Sequence, residues 1–122
     1  MSTEEDLMLI QAALARIIRK SQVENEDIMR LSDCLMRVLD SKKYWCEALK
    51  TSRTELDTAY AKQKLEKISR VQQSLIHVAE EKVRPSPAST LSSFTDSIEL
   101  AIRELKTLDE HYKSYAFKLL IG

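Results

Sequence analysis

Hydrophobic residues recur along this sequence at intervals of three and four, which is the spacing of one face of an α-helix. The most regular stripe alternates these two intervals and consists of Phe94, Ile98, Ala101, Leu105, Leu108, Tyr112, Tyr115 and Leu119. Acidic residues are often followed by a basic residue four positions later, as in Glu26 and Arg30. This spacing brings opposite charges together on a helix. The pattern predicts an all-α protein.

The pattern divides one predicted domain, residues 1–122, into four helical segments over 3–20, 24–50, 53–83 and 93–121. Pro85 and Pro87 interrupt the helical hydrogen-bond ladder and predict a loop over 84–92. Neither proline nor glycine separates the second segment from the third, so one continuous helix is an alternative. We favour a break, because residues 51–54 are weak helix formers and the apolar stripe changes phase after them.

Capping residues mark two of the predicted helix starts. Ser21 with Glu24 has the three-residue spacing of a capping box, and at the third helix both Ser52 with Glu55 and Thr54 with Asp57 have it. Short connections make successive helices antiparallel neighbours. The preferred fold is therefore an antiparallel helical bundle of four segments with coiled-coil-like packing, and the alternative is an elongated helical hairpin completed by dimerisation. Lys42 falls at a core position, where we expect its stem to extend towards solvent or the stripe to drift.

Composition narrows the function classes. The only glycine is Gly122, so tight hairpin turns that need positive φ lack their usual residue. The 19 basic and 19 acidic residues cancel, which argues against nucleic acid as a partner. Basic residues nevertheless outnumber acidic ones over 42–70. A nucleic-acid-associated helical protein that uses this region is therefore the alternative function, although few aromatic residues are interleaved there to stack on bases.

Motifs for catalysis are missing from the sequence, so we expect no enzyme. It contains neither a glycine-rich phosphate loop, nor a metalloprotease helix motif, nor a nucleophile elbow. Cys34, Cys46, His77 and His111 are too scattered for a local zinc site, and we expect no metal or cofactor. We find neither a signal peptide nor a membrane span, and two free thiols predict an intracellular protein, cytoplasmic or nuclear.

Surplus apolar faces favour a non-enzymatic protein–protein interaction module, acting as adaptor, assembly subunit or regulator. The opening helix is apolar around more than half of its circumference, as in helices buried between others. The chain end carries a second apolar face, and aromatic residues such as the single tryptophan are common at binding hot spots. The candidate partner-binding residues are Leu9, Ala13, Trp45, Phe117, Leu120 and Ile121. The expected partner is another protein or a second copy, and packing within the chain is the competing explanation for each face.

One residue of the loop is a candidate modification site. Ser86 precedes Pro87 and lies close to Arg84. A proline-directed phosphate on Ser86 would add about −1.5 to −2 charges beside a basic helix end.

Overall fold

The computed structural model describes residues 3–87 and 93–121, with side chains described over 4–87 and 93–111. This part of the chain is helical and contains no strand. The helices are α1 (Thr3–Arg19), α2 (Asn25–Thr51), α3 (Glu55–Val78) and α4 (Thr95–Ile121), and α3 continues directly into a π-helical turn over Ala79–Val83. The prediction of an all-α protein is confirmed. No helix in the described ranges combines the length and apolar character needed to cross a membrane.

The start of α2 lies three residues later than the predicted Ser21–Glu24 box would place it. The backbone N–H of Glu24 donates to Asp27 Oδ2 at 2.9 Å, so the reciprocal contact forms between Glu24 and Asp27 instead. Lys20 Nζ donates to Asp27 Oδ1 at 2.8 Å and ties the end of α1 to the same carboxylate. The box at Ser21 is therefore wrong, because the buried Asp27 satisfies the helix start in its place.

Residues 52–54 separate α2 from α3, as favoured from the sequence. Thr54 caps α3, since its hydroxyl accepts a hydrogen bond from the Asp57 N–H at 3.1 Å. The Ser52 hydroxyl donates to the Leu49 carbonyl at 2.8 Å and lies 2.7 Å from the Thr58 hydroxyl. These bonds use backbone groups that would otherwise be orphaned at the two helix ends.

Helix α2 packs against each of the other three helices, and α1 also packs against α3. Arg37 of α2 reaches Asp6 near the start of α1, while Asp27 at the start of α2 reaches Lys20 beyond its end. These contacts at opposite ends show that α1 and α2 run in opposite directions. Whether the four helices pack in the manner of a coiled coil stays a prediction.

Buried side chains form two apolar clusters. The larger cluster draws residues from all four helices, among them Ile10, Leu35, Leu75 and Leu105. The smaller one, Leu49, Ala61 and Leu65, lies between α2 and α3 near their connection. The core face of α1 consists of residues spaced by three and four, as predicted. They are Leu7, Ile10, Leu14 and Ile17.

The π-helical turn brings a lysine to the end of α1. Its wider winding is closed by the Arg84 N–H, which donates to the Ala79 carbonyl at 2.9 Å. Lys82 Nζ donates to the carbonyls of Ile17 at 3.4 Å and Lys20 at 3.0 Å, and also to the carbonyl of Ile18. A cation at the negative end of a helix satisfies carbonyls that have no partner within the helix. Lys82 therefore fixes α1 on the far end of α3.

Candidate functional site

A mostly apolar groove lies where α1 meets the outer side of α2, and we call it the α1–α2 groove. Its lining includes the two candidate residues of the opening helix, Leu9 and Ala13. The full lining is Leu9, Ile10, Ala13, Met29, Arg30, Ser32, Asp33, Cys34, Met36, Arg37 and Phe94. The structure thus brings Leu9 and Ala13 together with about two and a half turns of α2 and with Phe94, which precedes α4.

Several apolar side chains in this groove have large exposed surfaces. Leu9 is 61% exposed and Met36 is 42% exposed, and Met29 is similarly open to solvent. Phe94 and Ala13 are half-buried and pack against the larger core cluster at their inner edges. Methionine is unbranched and adapts its shape to what it contacts. The groove can therefore bury the apolar side chains of a ligand without rearranging the core.

Charges at the edge of the groove are paired within the chain. Arg30 donates to Glu26 at 2.7 Å, and Arg37 donates to Asp33 at 3.0 Å and to Asp6 at 3.1 Å. The exposed pairs with Glu26 and Asp33 contribute little to stability, whereas Asp6 is buried where it accepts from Arg37. They leave the edge with both signs of charge and no large excess of either, so the groove does not select a strongly charged ligand.

The sequence indicated only part of this surface. Met29 and Met36 were not candidates, although they are seven residues apart and so share one helix face. Phe94 was assigned to the apolar stripe of the last helix. Recognising the groove from sequence would have required knowing which outer face of α2 lies beside α1.

Trp45 lies elsewhere, beside the connection of α2 to α3. Its ring makes edge contacts with Tyr44, at 5.1 Å between centroids, and with Tyr60, at 5.5 Å. It is half-buried and packs against both core clusters. Trp45 therefore bridges the two clusters and does not line the α1–α2 groove. The candidates Phe117, Leu120 and Ile121 lie outside the residues whose side chains are described.

Ser86 is half-buried, and its hydroxyl is near a backbone acceptor. Its Oγ donates to the Val23 carbonyl at 3.4 Å, and its N–H donates to the Val83 carbonyl at 3.1 Å. The site lies beside the connection of α1 to α2. Phosphorylation at Ser86 stays a prediction, and a kinase would first have to draw this hydroxyl away from Val23.

A buried polar cluster joins α2, α3 and α4. The Lys42 side chain is 0% exposed, and its ammonium group donates to Gln72 Oε1 and to Asp109 Oδ1. Gln72 Nε2 donates to Asp109 Oδ2 at 2.8 Å. Neither expectation for Lys42 holds, since its stem does not extend to solvent and its position stays in phase with the core. Each of the three groups satisfies the other two, which is the condition for burying charge in a core.

At least half of the eight basic side chains of region 42–70 are paired with carboxylates within the chain. Four of its lysines lie within ion-pair distance of a carboxylate: Lys42 with Asp109, Lys43 with Glu104 at 3.9 Å, and Lys64 and Lys67 with Glu4 at 2.8 and 3.7 Å. Lys64 is buried against Tyr60 as well. Hydrogen bonding to Lys64 lowers the pKa of Glu4 and raises that of Lys64. Neutralised lysines release few counterions from a nucleic acid.

Reactive and metal-binding groups are not assembled in the described residues. Burial raises the pKa of the Cys34 thiol to about 11 and also raises that of Cys46, and thiols of this kind are poor nucleophiles. No set of three His, Cys, Asp or Glu side chains within 4–87 and 93–111 is placed to hold a metal ion. The α1–α2 groove is the candidate site considered further, because its lining is mostly apolar and includes Leu9 and Ala13.

Comparison of the chain with protein-family models, with curated proteins and with solved structures gave no match.

Proposed function

We propose that this chain is a non-enzymatic protein–protein interaction module that binds a helix of a partner protein in the α1–α2 groove. It would act as an adaptor, an assembly subunit or a regulator. The observation that carries the proposal is the concentration of exposed apolar side chains in one concave surface, among them Leu9, Met29 and Met36. Exposed apolar surface of this kind is typical of interaction sites.

An amphipathic helix is the ligand that fits this surface. The groove follows α2 over residues 29–37, about 12 Å along the helix axis, and is bordered by α1. Amphipathic helices bind such grooves through anchors at positions i, i+3 or i+4, and i+7. Because the edge carries Arg30 and Arg37 paired with acidic residues, the polar flank of the ligand would carry both signs of charge.

The scaffold we propose behind this surface is an antiparallel four-helix bundle with coiled-coil-like packing. We propose that the protein is intracellular, either cytoplasmic or nuclear. The free thiols of Cys34 and Cys46 are consistent with this location. The alternative function, nucleic-acid association through 42–70, has less support because at least four of the basic side chains in that region are paired within the chain.

A selection of displayed amphipathic helices of about 18 residues tests the proposal, followed by fluorescence anisotropy with the enriched peptide. Met36→Glu places a charge in the groove, and Leu100→Glu changes a residue of α4 that is 54% exposed and lies outside it. Burial of a methionine side chain corresponds to about 1.5–3 kcal/mol. We therefore expect Met36→Glu to weaken binding about 10- to 100-fold and Leu100→Glu to leave it within about twofold.

Two results would contradict the proposal. One is a selection that enriches no helical peptide, and the other is equal binding by Met36→Glu and the wild type. Binding to DNA or RNA that falls steeply with salt, in place of peptide binding, would favour the alternative function.

A further inference from the structure

The side of α1 that faces away from the core is apolar in its middle and charged at its ends. It consists of Glu5, Met8, Ala12, Ala15 and Arg19, which we call the α1 outer face. All five residues are exposed, and Met8 is 70% exposed. Their spacing is three, four, three and four, so they lie on one stripe opposite Leu7, Ile10, Leu14 and Ile17. This face explains why the opening helix is apolar around so much of its circumference.

Charge is arranged along this face with opposite signs at equal distances from its centre. Glu5 precedes Ala12 by seven residues and Arg19 follows it by seven, each about 10 Å along the axis. Neighbouring acidic residues are paired, Glu4 with Lys64 and Asp6 with Arg37. Glu5 and Arg19, in contrast, enter no ion pair with any residue that the structure describes.

We propose that two copies of this chain associate through their α1 outer faces, packed antiparallel about a two-fold axis beside Ala12. This pairing places Glu5 of each copy near Arg19 of the other and packs Met8 over the small residues of the opposite helix. A two-fold interface must be self-complementary, and this face meets the condition because its charge pattern reverses about Ala12. A parallel pairing would oppose Glu5 to Glu5 and Arg19 to Arg19.

The remainder of the chain permits this association. Its net charge is zero, so two copies do not repel each other as wholes. The small side chains of Ala12 and Ala15 allow two helix backbones to approach closely. Helix α1 has 17 residues and is about 25 Å long. One pair of helices of this length buries less than a standard interface of about 1,600 Å². The dimer is therefore reversible and its population depends on concentration.

Charge reversal provides a sharp test, with sedimentation velocity of the full chain over a range of concentrations as the measurement. Glu5→Arg creates two like-charge contacts in the antiparallel dimer, and Arg19→Glu does the same. We expect each single variant to raise the dissociation constant at least tenfold. The double variant, Glu5→Arg with Arg19→Glu, restores opposite charges across the axis, and we expect its dissociation constant to return to within about threefold of the wild type.

Folding effects cannot produce this result. Glu5→Arg places a positive charge at the positive end of the α1 dipole, and Arg19→Glu places a negative charge at its negative end. Among the wild type, the two single variants and the double variant, the double variant therefore has the least favourable interactions with the helix dipole. Far-UV circular dichroism will verify that all four are helical. A wild type that stays monomeric at millimolar concentration would overturn the proposal, as would singles that dimerise normally or a double that does not recover. Met36→Glu in the α1–α2 groove should leave the dimer unchanged, which separates this inference from the proposed function.

Discussion

Lys42→Met should destabilise the protein far more than an ordinary lysine substitution. The ammonium group of Lys42 is 0% exposed and bonded to Gln72 and Asp109, which come from two other helices. Methionine keeps most of the apolar stem and removes the charge with its three donors. The substitution therefore tests the polar cluster with little change in packing.

The magnitude follows from what each partner loses. Gln72 is buried, and its Oε1 loses a donor, which costs about 1–3 kcal/mol. Asp109 is 27% exposed and keeps the Gln72 Nε2 donor at 2.8 Å. The free-energy cost of leaving Asp109 without Lys42 is therefore well below the roughly 3–5 kcal/mol seen when a fully buried ion pair is broken. Together we expect about 2–4 kcal/mol, a large part of the roughly 5–15 kcal/mol that stabilises a typical domain.

Urea denaturation followed by circular dichroism and by Trp45 fluorescence measures this loss. Lys43→Met is the matched control, since Lys43 is 53% exposed and lies 3.9 Å from Glu104, and it should change the unfolding free energy by less than about 0.5 kcal/mol. The combined variant Lys42→Met, Gln72→Leu and Asp109→Leu removes the whole cluster and should recover most of the loss. A Lys42→Met protein as stable as the Lys43→Met control would refute the reasoning.

Two further predictions concern titration and reactivity. Burial alone would raise the pKa of Asp27, but hydrogen bonds from Lys20 and the Glu24 N–H outweigh it and hold the pKa below its usual value. Its contribution to stability is thus present above an unfolded-state pKa of about 3.9 and is lost as pH falls through the lower folded value. The difference in unfolding free energy between wild type and Asp27→Asn should shrink between pH 5 and pH 2, and a constant difference would contradict this assignment. In thiol labelling at about pH 8, the half-buried Cys46 should react before Cys34. Because Cys34 is buried and has a pKa of about 11, its labelling should require local opening of the protein. Labelling of both thiols at one rate would exclude this order.

Local signals in the sequence predicted the helices well, because helix formation depends on neighbours three and four residues apart. The stripe of Ile98, Ala101 and Leu105 is buried as its spacing indicates. Thr54 caps α3 through the residue that the capping pattern predicts. The start of α2 was predicted to within one residue, but its capping box was predicted wrongly. Asp27 is held by Lys20, which follows the preceding helix, and the Ser21–Glu24 spacing carries no information about that contact.

Contacts between distant residues could not be predicted in the same way. A lysine at the core position 42 is unusual, but no residue near it in sequence shows that its partner is Asp109, which is 67 residues away in the chain. The α1–α2 groove has the same origin, since it combines Leu9, Met36 and Phe94 from three separate segments. Sequence periodicity shows that a face is apolar, and only the packing of the helices shows whether the chain itself covers that face.

Helix α1 illustrates how the packing divides one apolar helix among three roles. The core face of α1 is buried against α2 and α3. It consists of Leu7, Ile10, Leu14 and Ile17. Of the remaining apolar residues, Ala13 packs against the margin of that core, whereas Met8, Leu9 and Ile18 are more than half exposed. Such exposed residues reduce solubility unless another surface covers them. Leu9 lies beside α2, where a bound helix can contact both α1 and α2. Met8 and Ala12, in contrast, are exposed in the part of the chain that the structure describes. A groove and a flat helix face call for different occupants, which is why we assign a partner helix to the first and a second copy to the second.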